Sequence, residues 1–432
     1  MQADKAIERA AMKRVTSRIV PFLMLAYFVA FVDRVNVGFA GSEMSKDLGL
    51  SATVFGLGAG IFFLAYFIFE VPSNLIMEKV GARRWIARIM VSWGIVAAAM
   101  ALVTGPWSFY AIRFLLGAAE AGFFPGVILY LTYWFPKEYR ARIVGIFMVA
   151  IPVSTFLGSP VSGAILDIDG FMGLRGWQLL FILEAVPAVL LGIATLFWLP
   201  DRPETAKWLA PDQRDWLMRQ LAAERAGSAK SAPLSLWQIL RDKRVLVMAL
   251  VYAGSTATNY GLSFWQPQMI KSFGMNNFHA GLINAFPFFV GSIAMVLWGQ
   301  RSDRVRERVW HTAIPLFISA AGLAACLYVH ALVPTVVALS FALAGCYALK
   351  GPFWALSTEF LAASAAAAGI AQINAIGNLA GFVGPFLLGW IKDLTGSYAL
   401  GMLPMILLAA VGGIAVLSMG RSPTREPVAP AE

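Results

Sequence analysis

Two stretches of this chain share one spacing: residues 156–167 read FLGSPVSGAILD, and residues 382–393 read FVGPFLLGWIKD. Both follow the pattern F-x-G-x4-G-x3-D. A second pair, NLIMEKVG at 74–81 and GQRSDRVR at 299–306, places an acid and then a base at almost the same offset along the chain. Two independent matches at nearly one offset indicate a duplicated unit. The repeat therefore predicts two related halves in one chain.

The composition predicts that both halves lie in a membrane. Of the 432 residues, 59% are hydrophobic and only 13% are charged, too few charges to cover a soluble protein of this length. Continuous apolar stretches, each long enough to cross about 30 Å of hydrocarbon as a helix, occur at 19–40, 54–76, 85–104, 107–133, 142–166, 177–199, 245–270, 280–299, 309–329, 332–358, 369–392 and 398–419. Such continuous runs exclude a β-barrel. We predict an all-α integral membrane protein with twelve transmembrane helices in two pseudo-symmetric six-helix bundles.

One polar stretch separates the first six spans from the last six. Residues 200–244 form the longest loop, are highly charged and are expected to hold a surface helix around 211–225. We therefore expect an N-terminal bundle over 1–199, a cytoplasmic linker over 200–244 and a C-terminal bundle over 245–432. Parallel duplication of six spans, with a site between the halves near the midplane, is typical of rocking transporters.

The net charge of +10 indicates orientation rather than nucleic-acid binding. Most basic residues lie in the N-terminal segment and in loops on its side of the spans, whereas the opposite loops hold Lys46, Arg175, Lys271 and Lys392. This positive-inside bias predicts that both termini are cytoplasmic and that the protein lies in the inner (plasma) membrane. The basic N-terminus precedes a full-length span without a small-residue cleavage site, so no cleavable signal is expected.

Ionisable residues within the spans are candidates for function, because charge in a membrane is costly unless it is paired or hydrated. Asp33 and Arg34 lie in the first span, where adjacent helical side chains point about 100° apart and cannot share one partner face. Arg113 and Glu120 lie two turns apart on one face of the fourth span, about 10 Å along its axis. These four residues form the main candidate set, with a structural ion pair between spans 1 and 4 as the alternative.

The second half lacks this charge set. Shifted by the offset of the acid–base pair, Asp33 and Glu120 correspond to Thr258 and Gly345. A purely structural role would be expected in both halves. We therefore expect coupling to an ion in the N-terminal half, while the C-terminal half mainly shapes the site.

The C-terminal half offers its own polar candidates. Lys350 and Trp354 are four residues apart and share a helical face. Lys350 either contacts a substrate, or snorkels or pairs with Glu359. Asn374 either contacts a substrate or forms hydrogen bonds between helices. Further residues that could line the site are Asn259, Tyr260 and Gln266 of the seventh span.

Several stretches resemble a known family. The two acid–base loops resemble the signature of the major facilitator superfamily, with Asn74 and Glu78 where Gly and Asp are commoner. Stretches similar to the anion:cation symporter family within it lie at 31–38, 113–126, 176–192, 199–209, 350–356 and 377–389. That family includes transporters for tartrate, phthalate, sugar acids and hydroxyphenylacetate, and the resemblance covers nearly the whole chain.

The resemblance implies roles for matching positions. Asp33 and Glu120 match the family's proton-binding acids, and Arg34 and Arg113 match its substrate-carboxylate and coupling arginines. Tyr66 and Asn374 match substrate positions and join Lys350 and Trp354 as expected substrate contacts. The expected gating residues are Glu78, Arg83, Asp303 and Arg304, because acid–base loops at the ends of spans 2 and 8 can bridge to the other half and hold an outward-facing state.

We therefore expect a proton-coupled secondary transporter that imports an organic carboxylate such as tartrate, phthalate or a related mono- or dicarboxylate. Exchange or export of an organic anion is one alternative. A membrane-embedded enzyme or sensor is another, but no nucleophile–base set, metal cluster or phosphate loop supports it. The expected partners are a small organic anion, protons and the lipid bilayer. No cofactor, metal or nucleic acid is expected, and the protein is expected to be a monomer.

Overall fold

The computed structural model describes residues 2–228, 242–360 and 366–419, and every regular element in these ranges is helical. The N-terminal helices are α1 (Gln2–Leu48), α2 (Ala52–Val80), α3 (Ala82–Ala99), α4 (Pro106–Glu120), α5 (Phe123–Thr132), α6 (Lys137–Met148), α7 (Ala150–Leu166), α8 (Gly176–Trp198) and α9 (Pro211–Ser228). The C-terminal helices are α10 (Lys243–Lys271), α11 (Asn277–Val305), α12 (Val309–Ala325), α13 (Leu332–Ala348), α14 (Lys350–Phe360), α15 (Ala366–Thr395), α16 (Tyr398–Gly401) and α17 (Leu403–Ser418).

The helices confirm the predicted membrane fold. Within the described residues, 11 helical segments are long and apolar enough to cross a membrane, and the shorter apolar helix α12 supplies a twelfth span. Six spans precede α9, the polar helix predicted around 211–225, and six follow it. The rest of the predicted linker includes residues 229–241, which lie outside the described residues.

The fourth span of each half is interrupted, a feature that the apolar pattern did not predict. In the first half α4 ends at Glu120, and Gly122 adopts a φ of +87° before α5 begins. A Cβ atom at Gly122 would also overlap the side chain of Ser73 on α2. Glycine tolerates this left-handed conformation and this close approach. In the second half α13 gives way to α14 just before Lys350, so both interruptions adjoin candidate site residues.

The two halves pack closely at the end of the spans where α1 ends and α2 begins. This end lies away from the basic loops and is called the opposite end. There α1 packs against α10, α2 against α15 and α7 against α11. The second glycine of each repeated motif permits this contact, because a Cβ atom at Gly163 would overlap the backbone of Asn277, and one at Gly389 the backbone of Ala52. Small residues of this kind let membrane helices approach closely.

The aspartate that ends each repeated motif crosses to the other half. Asp393 accepts hydrogen bonds from the backbone N–H groups of Ala52 at 3.0 Å and Thr53 at 2.7 Å, at the start of α2. Asp167 accepts one from the backbone N–H of Phe278 at 3.1 Å, at the start of α11. Carboxylates satisfy the free N–H groups of a helix N-terminus and favour its positive dipole end. Each half therefore caps a helix of the other by the same device.

At the other end of the spans, here called the basic end because its loops carry Lys79, Arg83 and Arg301, the helices that follow the two interruptions pack within their own halves. Helix α5 packs against α2, α3 and α6, whereas α14 packs against α10, α11, α12, α13 and α15. At the opposite end, in contrast, Glu43 accepts hydrogen bonds across the halves from Lys271 at 2.8 Å and Asn277 at 2.7 Å. The structure is thus closed at the opposite end.

Replacing both cross-half aspartates, in the double variant Asp167→Asn/Asp393→Asn, is expected to loosen the closed end. Hydrogen bonds to a charged group contribute about 1.5–3 kcal/mol, and the helix dipole adds less. Spin labels placed at the exposed positions Lys46 and Ser272 should then show a longer or broader distance distribution. Asp169→Asn is the control, because Asp169 pairs with Arg175 within its own half. A distribution identical to that of the unsubstituted protein would contradict the capping role.

Candidate functional site

A cavity that encloses about 620 Å³ of space between atoms, including its opening, lies between the two halves. The N-terminal half lines it with Tyr27, Phe31, Arg34, Phe63, Tyr66, Phe124, Met148 and Ile151. The C-terminal half lines it with Tyr252, Thr256, Asn259, Tyr260, Lys350, Asn374 and Asn378. Aromatic side chains and convergent polar groups in one concave cavity are typical of a site for a small molecule.

The helices α1 and α10 line the cavity with corresponding faces. Tyr27 and Tyr252 are equivalent positions of the two repeats, as are Arg34 and Asn259, and all four line the cavity. Along α1, Tyr27 and Arg34 are seven residues apart, which places them on one helical face. The sequence analysis missed the two tyrosines, and the repeat offset applied to this face is the signal that could have found them.

Arg34 is the cation that the N-terminal half presents to the cavity. Its Nε donates a hydrogen bond to Glu120 Oε1 at 3.1 Å, and its Nη2 forms an ion pair with the same oxygen. Its Nη1 donates to the Tyr260 hydroxyl of the other half at 2.9 Å. Arg34 is 6% exposed and Glu120 is 1% exposed. The buried guanidinium is therefore shared between a carboxylate of its own half and a hydroxyl of the other.

The interruption of the fourth span explains where Glu120 lies. Because α4 ends at Glu120, this carboxylate is at the negative end of the helix dipole, where an acid is disfavoured. Burial without a partner would add a further cost. The Arg34 guanidinium offsets both effects, and the pair joins α1 to α4.

Arg113 lies behind the cavity rather than on its wall. Its Nη2 donates to the backbone carbonyl of Ala59 at 2.9 Å, and its Nε donates to that of Gly58 at 3.3 Å. The guanidinium also lies 5.0 Å from the centre of the Phe62 ring. In this arrangement Arg113 attaches α4 to α2, and a direct contact with substrate stays a prediction.

Asp33 points away from the cavity, into the N-terminal half, as its angular separation from Arg34 requires. Its Oδ2 accepts a hydrogen bond from Trp93 Nε1 at 2.9 Å, and the residue is 2% exposed. Its Oδ1 has no hydrogen-bond donor among the described residues. One carboxylate oxygen is therefore available to a proton inside the bundle, although proton binding at Asp33 stays a prediction.

The expected substrate contacts from the other elements divide into two groups. Tyr66, Lys350 and Asn374 line the cavity. Trp354 lies behind it, with its ring 5.0 Å from that of Tyr252. Gln266, which was expected to line the seventh span, instead donates from Nε2 to the Asn284 side chain at 2.9 Å.

Lys350 is a buried cation on the wall opposite Arg34. Its Nζ lies 4.7 Å from the centre of the Tyr347 ring, and the residue is 7% exposed. The side chain of Glu359, its proposed partner, lies outside the described residues. A cation–π contact partly stabilises the ammonium and leaves its other donors available to an anion.

Of the expected gating residues, Arg83 contacts the start of the linker and Asp303 contacts its own half. The Arg83 backbone N–H donates to Asp201 at 2.9 Å, and Asp303 pairs with Arg308 at 2.7 Å. Glu78 and Arg304 are exposed at the basic end. The gating role stays a prediction that concerns another arrangement of the halves. Among the described residues, no group of three His, Cys, Asp or Glu side chains could hold a metal ion.

Comparisons with known proteins agree with this architecture. The sequence profile described as Major Facilitator Superfamily matches residues 23–385. A protein of Agrobacterium vitis named "Putative tartrate transporter" is 53% identical over 96% of this chain and 96% of its own length. A protein of Acinetobacter baumannii named "Quinolone resistance transporter" is 40% identical over 91% of both chains. The crystal structure of a D-xylose-proton symporter aligns with a TM-score of 0.73 at 17% identity, covering 94% of this chain and 97% of the other.

Removing either partner of the buried pair, by Arg34→Gln or Glu120→Gln, is expected to lower the apparent melting temperature of the purified protein. An unpaired buried charge costs about 3–5 kcal/mol. The double variant should lose less than the sum of the two single variants, because it leaves no charge without a partner.

The control for this cycle is Asp169→Asn, which removes an ion pair with Arg175 in which both side chains are more than half exposed. Exposed pairs contribute about 1 kcal/mol or less, so a small effect is expected. Additive losses for Arg34→Gln and Glu120→Gln would show that the two groups do not stabilise each other.

Proposed function

We propose that this chain, which belongs to the Major Facilitator Superfamily, imports a small organic anion across the inner membrane and couples that import to protons. As a member of this superfamily it is a multi-pass membrane transporter and not an enzyme. The observation that carries the proposal is the Arg34–Glu120 pair at the cavity wall, where one cation is already held by one carboxylate.

A carboxylate substrate must compete with Glu120 for Arg34. While Glu120 is ionised, its charge neutralises the guanidinium and repels an incoming anion. A proton on Glu120 removes that charge and leaves Arg34 free to bind the substrate carboxylate with charge-assisted hydrogen bonds. The anion and the proton therefore bind together, which is the requirement for symport. Asp33, buried in the same bundle, is the second proposed proton site.

Lys350 on the other wall suggests a substrate with two carboxylates. Arg34 and Lys350 belong to different halves and line the same cavity. A short dicarboxylate could contact both cations at once and so favour closure of the halves around it. Tartrate is the first candidate, because a relative that is 53% identical bears the name of a tartrate transporter. Phthalate has the same two charges on an aromatic frame that suits the walls.

Alternating access follows from the two ends of the molecule. If the basic end is cytoplasmic, as the positive-inside rule predicts, the structure closed at the opposite end is inward-facing. We propose that the bundles 1–199 and 245–432, joined by 200–244, then rock about the cavity. The cross-half caps at Asp167 and Asp393 would open, while the loop residues near Glu78 and Asp303 would meet the other half.

Export is the second candidate, because a relative that is 40% identical is named for quinolone resistance. The aromatic walls would suit such a compound. The two cavity cations, Arg34 and Lys350, disfavour a cationic drug and are compatible with an anionic or zwitterionic one. The direction of the proton gradient that drives accumulation separates import from export.

Glu120→Gln is expected to uncouple transport from protons. In proteoliposomes the unsubstituted protein should accumulate L-tartrate when the outside is acidic, and Glu120→Gln should not, because its amide cannot release a proton. Counterflow of labelled tartrate against unlabelled tartrate should persist, because Arg34 remains able to bind the anion. Asp33→Asn should behave similarly.

The pH gradient is imposed in both directions, so that insertion of the protein in two orientations does not obscure the result. Asp169→Asn, at the closed end, is the control for loss of a carboxylate outside the cavity. Gradient-driven accumulation by Glu120→Gln at the level of the unsubstituted protein would rule out this residue as the coupling group.

Lys350→Gln should distinguish a dicarboxylate site from a monocarboxylate site. Loss of one hydrogen-bonded ion pair is expected to raise the Kd for L-tartrate about tenfold or more. L-threonate, which has a hydroxymethyl group in place of one carboxylate, should change less than about twofold. Binding of the labelled acids to purified protein measures both values, with the exposed Lys207→Gln as the control. Equal losses for the two acids would contradict a carboxylate contact at Lys350.

A further inference from the structure

A carboxylate of the protein itself already lies on polar groups of the cavity wall. Glu70 is on α2, one turn beyond the cavity residue Tyr66, so the two share a helical face. Its Oε1 accepts a hydrogen bond from Asn374 Nδ2 of the other half at 3.2 Å. The side chain of Asn378, one turn further along α15, is also close enough to interact with the Glu70 carboxylate.

The donors that hold Glu70 are the amides that face the cavity. Asn374 and Asn378 both line it, together with Arg34 and Lys350. None of the ion pairs found among the described residues includes Glu70, so amide groups of the opposite half supply the contacts seen here. Amide N–H groups arranged in this way suit any carboxylate, whether it belongs to the protein or to a ligand.

We propose that Glu70 is a built-in competitor of the substrate: its carboxylate occupies the Asn374–Asn378 pair until a substrate carboxylate takes its place. This inference rests on the proposed function, because it requires an anionic substrate in this cavity. It extends that function by assigning to the asparagine pair an internal ligand of the same chemical class as the substrate.

The proposed competition between Glu70 and the substrate depends on the arrangement of the two halves. The Glu70 contact joins the two halves on the side that is open in this structure, and it can form only when no substrate carboxylate holds the asparagines. When only a fraction of the protein molecules is able to bind a ligand, the apparent affinity is lower than the intrinsic affinity by that fraction. Glu70 therefore weakens substrate binding in this arrangement and assists release from the open side.

A merely structural contact between the halves predicts a different response to substitution. Glu70→Gln keeps the shape and an acceptor oxygen for Asn374 but removes the charge. A structural contact would thus be largely retained, and substrate affinity would not change. A competitor would be weakened, because charge-assisted hydrogen bonds are about twice as strong as neutral ones, and the repulsion between two carboxylates would also be lost.

The test is equilibrium binding of labelled L-tartrate to the full-length protein, with phthalate as a second probe. Glu70→Gln and Glu70→Ala are expected to lower the Kd about tenfold, the size of one charged hydrogen bond. In Asn374→Ala/Glu70→Gln the gain should disappear, because the shared donor is absent. Glu138→Gln, an exposed acid on α6 at the basic end, removes the same charge elsewhere and should leave the Kd unchanged.

The outcomes separate the inference from the function on which it rests. If the unsubstituted protein binds tartrate or phthalate and both Glu70 variants bind equally or more weakly, the competitor role is overturned and the proposed function stands. If neither the unsubstituted protein nor any variant binds either acid, the proposed function fails and the inference fails with it. Melting curves of Glu70→Gln and Glu70→Ala establish that each variant is folded.

Discussion

A charge inside a membrane must be neutralised or hydrated, and this constraint organises the centre of the molecule. Arg34 can lie in the first span because Glu120 meets it from the end of α4. The interruption at Gly122 is what allows α4 to end there. The end of α4, the interruption at Gly122 and the Arg34–Glu120 ion pair thus form one structural unit, and this wall of the cavity depends on it. In the proposed mechanism the same constraint makes the unit responsive, because a proton on Glu120 removes the charge that holds the guanidinium.

The two copies of the repeat agree in packing and differ in chemistry. Both copies of F-x-G-x4-G-x3-D have the same structural role. Gly163 and Gly389 permit the close approach of a helix of the other half, and the terminal aspartates cap that helix. At the cavity the copies differ, because Arg34 corresponds to Asn259. The equivalent contacts of the two repeats close the molecule at the opposite end. The cavity residues are not equivalent, so the two halves present chemically different walls to a substrate.

The sequence was sufficient for the spans, their number and the duplication, because lipid leaves continuous apolar helices as the solution for such runs. It was not sufficient for side-chain direction. Arg113 and Glu120 share a face, yet the first bonds to the backbone of α2 and the second to Arg34. The spacing along α2 likewise does not indicate that Glu70 meets Asn374 of the other half. Such partners depend on how the halves are docked, which spacing within one helix does not specify.

In both walls of the cavity, a carboxylate of the protein holds a polar group. On one wall the Glu120 carboxylate holds the Arg34 cation, and on the other the Glu70 carboxylate holds the Asn374 amide. Glu120 is held by a cation of its own half, and in the proposed mechanism it releases that cation by accepting a proton. Glu70 is held by an amide of the other half, so a movement of the halves relative to each other separates it from this partner. In the proposed mechanism the first wall therefore links substrate binding to protons, and the second links it to the relative position of the halves.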